Sequence, residues 1–134
     1  MLAAELYAII SMAIEMSKGA PARFQRLREV GGARLDDPRA AARGLADDEL
    51  AVVRLAMFRA LGDPTRFVIG ELLRKHGPLA TTELEVATGV ASSTLSHHLR
   101  VLENARLVVP ETAGGWTFWR LAAYPMVEVF TPRA

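Results

Sequence analysis

The chain has 134 residues, 51% of them hydrophobic, with 16 Lys/Arg against 15 Asp/Glu. That is enough apolar material for one cored domain with an extension, and too much for a disordered chain. It has no cysteine, which excludes disulfides, thiolate metal sites and cysteine nucleophiles together. The charge divides unevenly: residues 1–46 carry seven Lys/Arg and five Asp/Glu, and residues 47–134 carry nine and ten.

The opening MLAAELYAIISMAIEM is apolar like a leader. It lacks a cationic start, carries Glu5 and Glu15, and is too short and too charged for a bilayer span, so a cytoplasmic protein without a membrane segment is expected. Leu2, Leu6, Ile9, Ile10, Ala13 and Ile14 recur at spacings of three and four, which predicts an amphipathic helix over 2–16. Residues 17–46 hold four glycines and two prolines and read as a short helix around Phe24–Val30 followed by a loop. Arg23, Arg26, Arg28, Arg34, Arg39 and Arg43 form either a basic arm toward nucleic acid or, diluted by Glu29, Asp36 and Asp37, a solvated linker. Residues 1–46 are thus read as an N-terminal extension and 47–134 as the main domain.

Asp47 or Asp48 is placed to cap a helix over ELAVVRLAMFRALGD, with Leu50, Val53, Met57, Ala60 and Leu61 as its apolar stripe. Asp63 caps the next helix with Pro64 at its first position. In that helix Phe67, Val68, Leu72 and Leu73 are expected to point inward, and Gly70 to mark a close backbone approach. Gly77-Pro78 ends it, and His76 there reads as a cation beside the helix dipole. TTELEVATG makes a helix of two turns, Thr82 and Glu85 having capping-box spacing, and Gly89 supplies a left-handed turn residue before the helix that starts at Ser92. Two short helices around such a turn form a helix-turn-helix. ARLVV, PETAGG and WTFWRL follow as a β-hairpin. The expected fold is mainly α with a small β-hairpin: a winged helix-turn-helix with an extra N-terminal helix.

The segment SSTLSHHLR carries the candidate chemistry. Leu95, Leu99 and Leu102 face the core, leaving Ser93, Thr94, Ser96, His97 and Arg100 outward and His98 at the boundary. Short hydroxyls, an imidazole and a guanidinium on one helix side suit the edges and phosphates of a DNA major groove about 12 Å wide. A metal reading of His97 and His98 meets poor geometry, since neighbours on a helix point roughly 100° apart. Trp116 and Trp119 read as hairpin-face packing. No carboxylate pair, nucleophile–base set or phosphate-cradling glycine loop suggests an enzyme.

MFRALGDPTRFVIGELLRKHGPLATTELEVATGVASSTLSHHLRVLENARLV with GGWTFWRL resembles the ArsR family of winged helix-turn-helix repressors, through LGDPTR at 61–66 and STLSHHL at 93–99, over about residues 50–122. The resemblance implies a homodimer that binds double-stranded operator DNA as a transcriptional repressor. By position Ser93, Thr94, Ser96, His97 and Arg100 are the DNA contacts; Ser92 and Thr81 at the two helix starts and Arg120 at the wing base complete the candidate set. The family's capping serines are Ala80 and Ala91 here, so the caps are expected to shift to Thr81 and Ser92. The wing tip ETAGG has no cation, and the metal-binding cysteines and the histidines of the last helix are missing, so neither metal nor cofactor is expected. These residues leave the effector unknown. The last helix is expected to be cut to Ala122–Phe130, with the N-terminal helix either extending the dimer interface or covering its own protomer's core. The alternative function is a winged-helix protein-interaction adaptor with weak or no specific DNA binding.

Overall fold

In the computed structural model the described residues are 2–16 and 20–123, and the chain divides into two compact units, the first ending at Val53 and the second beginning at Arg54. The expected last helix, and Met126 and Glu128 with it, lie outside the described residues. No helix among the described residues is long and apolar enough to cross a membrane.

In the first unit α1 (Leu2–Met16) packs against α3 (Pro38–Gly44) and the 3-10 turn Leu45–Asp47 that follows it. Leu2, Leu6, Ile10 and Ile14 are half buried, whereas Ile9 and Ala13, expected in the same stripe, are exposed along with Met12 and Met16. α2 (Ala20–Glu29) is the expected short helix, displaced toward the N-terminus. The loop expected after it contains α3. The Asp37 carboxylate accepts from the backbone N–H groups of Arg39 and Ala40, both at 3.1 Å, and Pro38 occupies the first turn, where its missing N–H leaves no gap. Arg43 Nε donates to Ser11 Oγ at 3.3 Å, joining α3 to α1.

α4 (Glu49–Leu61) holds the boundary between the units, and its cap is Asp48, which accepts from the N–H groups of Leu50 and Ala51. α5 (Pro64–His76) starts at Asp63, whose carboxylate accepts from Arg66 N–H at 3.0 Å. Its inward side differs from the expected one: Ile69 and Leu73 are buried, Leu72 is partly so, and Phe67 and Val68 are exposed. Rotation by 100° per residue puts Ile69, Leu72 and Leu73 on one face and turns Phe67 away from it. Gly70 meets only Leu61 Cδ2, at 3.5 Å from where a Cβ would stand, so no close backbone approach explains it.

A strand of two residues, β1 (Leu79–Ala80), leads into α6 (Thr81–Thr88), and Gly89, at φ 68°, turns the chain into α7 (Ser92–Asn104). β2 (Val108–Ala113) and β3 (Trp116–Leu121) form the wing, closed by Gly114 and Gly115, both left-handed. Ala113 pairs with Trp116, so the expected Gly-Gly turn is a two-residue hairpin turn, and β2 runs through Pro110–Ala113 up to it. β1 adds to the free edge of β3, giving the antiparallel order β1-β3-β2. Ile69, Leu84, Leu95, Leu99, Leu102 and Val108 form the enclosed centre. Each contributes roughly 1.5–3 kcal/mol of burial against about 1 kcal/mol for a cap, so the leucine stripe decides which side of α7 faces the core.

Candidate nucleic-acid interface

α7 projects Ser93, Thr94, Ser96, His97 and Arg100 into solvent away from Leu95, Leu99 and Leu102, while Ser92, also exposed, begins the helix on the leucine side. The structure thus brings five of the eight candidate residues onto one exposed helix surface. Thr81 and Arg120 stand elsewhere, half buried and already bonded. The Thr81 hydroxyl accepts from Trp119 Nε1 at 2.9 Å and donates to the Thr117 carbonyl at 3.3 Å, tying the start of α6 to the wing. Arg120 Nε donates to Glu111 Oε1 at 2.6 Å across the two wing strands. The Ser92 hydroxyl donates to Glu85 Oε1 on α6.

The caps of this helix pair correct the expectation. Ala80 and Ala91 remain the N-caps, and neither they nor Thr81 and Ser92 supply a capping side chain. For α6 the Glu83 carboxylate accepts from Ala80 N–H at 3.0 Å, half of a capping box; Thr82 is the second helical residue and not the cap, so the Thr82–Glu85 box does not form, and Glu85 instead accepts from Ser92. The first N–H groups of α7 have no side-chain acceptor within the protein at its N-cap.

Below this surface, LGDPTR forms a bonded corner. Arg66 Nε donates to the Ala60 carbonyl at 2.6 Å, and its Nη1 lies 3.2 Å from His98 Nδ1 on α7. The backbone N–H of Arg66, followed by the charge of Arg66, holds the Asp63 carboxyl below its usual range, against the opposing effect of burial. Sequence reasoning found Asp63 as a cap but missed Arg66. The available signal was the three-residue step from Asp63, which puts Arg66 on the Ile69 face of α5. It also missed Glu85 and Glu111, the acidic partners of two candidate residues. Trp119 packs on the core as expected, but Trp116 at the wing tip is 58% exposed. Among the described residues no three His, Asp or Glu side chains are grouped to hold a metal ion. In the first unit an open cleft of about 700 Å³ is lined in part by Ile14, Phe24, Arg28, Asp36 and Arg39.

A two-turn helix, a left-handed glycine, a second helix with a polar outer side and a closing hairpin define a winged helix-turn-helix protein. Residues 63–109 match the bacterial regulatory protein, arsR family. An uncharacterised helix-turn-helix transcriptional regulator of Methanocaldococcus jannaschii is 35% identical over 73 residues, 54% of this chain and 82% of that protein. The arsenical resistance operon repressor of Bacillus subtilis is 36% identical over 64 residues, 48% of this chain and 61% of that one. Among solved structures, the homodimeric winged helix-turn-helix DNA-binding domain of a possible ArsR-family regulator from Mycobacterium bovis aligns with a TM-score of 0.51 at 28% identity, covering 68% of this chain and 76% of that domain. The chain belongs to the ArsR family of transcriptional regulators.

Proposed function

We propose that this chain is a sequence-specific, dimeric, non-enzymatic repressor that works in the cytoplasm and binds double-stranded operator DNA through α7. The observation that carries the reading is the division of α7 into a buried leucine stripe and an exposed side bearing Ser93, Thr94, Ser96, His97 and Arg100. Small hydroxyls let the helix backbone approach base edges, while His97 and Arg100 supply longer donors. The N–H groups at the start of α7, with only alanine at the cap, offer donors to a phosphate. Ser92, Thr81 and Arg120 must each exchange an internal partner to reach DNA, so they enter the proposal as secondary contacts. The homodimeric M. bovis domain supports a two-fold arrangement, with α7 helices reading half-sites about 34–36 Å apart.

We further propose the organisation 1–46 as extension and 47–134 as DNA-binding domain, the exposed Ile9, Met12 and Met16 of α1 strengthening the dimer. Loss of residues 1–16 should then weaken the dimer in sedimentation; an unchanged dimer removes this role. The wing favours a second reading, a protein-interaction adaptor: its tip carries exposed Trp116 and two glycines, and Arg120 is bound to Glu111. Protection of a two-fold DNA segment from cleavage by the purified chain supports the repressor. Equal, weak and diffuse protection of all DNA supports the adaptor.

A further inference from the structure

We propose that Arg66 and His98 are positioning residues for DNA binding, a guanidinium–imidazole contact that sets the direction in which α7 presents its outward side chains. This rests on the reading that α7 binds DNA. Arg66 is anchored three times: its backbone N–H to Asp63 Oδ1 at 3.0 Å, its Nε to the Ala60 carbonyl at 2.6 Å, and its Nη1 to His98 Nδ1 at 3.2 Å. One residue therefore links the end of α4, the start of α5 and the middle of α7. A guanidinium only donates, so His98 Nδ1 must present its lone pair and the ring proton sits on Nε2.

The contact is sheltered, the His98 side chain being 12% exposed, with Asp63 Oδ1 at 3.9 Å from the same nitrogen. The held ring in turn lies against His97, with ring centroids 5.8 Å apart and planes tilted by 55°, within the range at which rings pack. His97 is one of the exposed side chains on the proposed DNA surface. Leucine burial keeps α7 on the core but is non-directional, so it tolerates small rotations. The Arg66–His98 bond is directional and weakens as the angle opens. It therefore specifies the rotation that burial leaves soft.

The test uses the full chain with His98→Leu, which fills the space without an acceptor, and His98→Asn, whose amide oxygen takes the place of Nδ1. Thermal midpoint and affinities for the chain's own upstream DNA and for an unrelated fragment are measured. The ring nitrogens of His98 are recorded by NMR without DNA. The expected result is a folded His98→Leu protein that loses about tenfold or more of its preference for the upstream fragment. Its affinity for unrelated DNA stays within about twofold, and His98→Asn recovers most of the preference. Should His98→Leu not fold, Arg66→Lys, which keeps the charge but not the fork, is expected to show the same loss. Unchanged preference in a folded His98→Leu, no recovery with Asn, or a ring protonated on Nδ1 overturns the proposal. A wild-type chain that prefers neither fragment refutes the DNA reading instead, and the DNA-free ring spectrum then still decides whether the contact exists.

Discussion

Ile69 and Phe67 lie two residues apart on α5, and exchanging each for alanine tests the rotation of that helix. Ile69 is 0% exposed at the centre of the core, whereas Phe67 is 53% exposed. Removing a fully enclosed isoleucine side chain forfeits its transfer free energy and leaves a cavity, about 2–5 kcal/mol in all. For a domain of this size, each kcal/mol lowers the unfolding midpoint by roughly 4–8 °C, so Ile69→Ala is expected to fall by about 8 °C or more. Phe67→Ala removes more atoms but mostly wet ones, and is expected to cost no more than about 1 kcal/mol. Denaturant and thermal unfolding at two protein concentrations separate burial in the protomer from cover supplied by a second copy, which would make the Phe67 cost depend on concentration. A concentration-independent Phe67 cost equal to or above that of Ile69 would mean that α5 is turned the other way. Arg66, three residues before Ile69, would then no longer face His98.

Three further outcomes are expected. Because the folded Asp63 carboxyl is held below its ordinary range, its contribution is full above that range and lost as the pH falls through it, so Asp63→Asn should flatten the stability curve between about pH 5 and pH 2; an unchanged acid limb in urea titrations would contradict this. Arg106 is left-handed at φ 61° where Leu107 N–H closes α7 onto the Leu102 carbonyl at 3.0 Å; Arg106→Gly should relieve strain and raise stability by up to about 1 kcal/mol, whereas a lowered melting midpoint counts against strain there. Arg100→Ala should weaken DNA binding and reduce the slope of log affinity against log salt by roughly 1 if the guanidinium meets a phosphate; an unchanged slope with altered base preference would move it to a base edge.

What the sequence made legible follows from the strength of its local signals. The leucines of α7, Gly89, the Asp63-Pro64 helix start and the Gly114-Gly115 turn each act through neighbours a few residues away, and all four stand where the pattern put them. α3 was readable by the same rule, since Asp37-Pro38 repeats the device of Asp63-Pro64, but the surrounding glycines and charges masked it. The rotation of α5 was misread because Phe67-Val68-Ile69 is a continuous apolar run, and only the packed partners decide which of the three is enclosed. β1 is two residues long and exists through its pairing with β3, a contact across almost forty positions. Similar distances hid two of the site's internal bonds, Thr81 with Trp119 and Arg66 with His98, whereas Arg120 with Glu111, nine positions apart, needed the hairpin register. The outward side of α7 needed only helical periodicity, whereas the restraints on its neighbours needed the fold.

The most direct test of the central claim, that α7 reads DNA, is a titration of the chain against its own upstream DNA and an unrelated fragment at two salt concentrations, repeated with Ser93, His97 and Arg100 changed to alanine. The account predicts a preference of about a thousandfold or more for the upstream fragment. That preference should collapse in the triple variant while the protein stays folded. Equal affinity for both fragments, or a preference that survives the triple change, would contradict it.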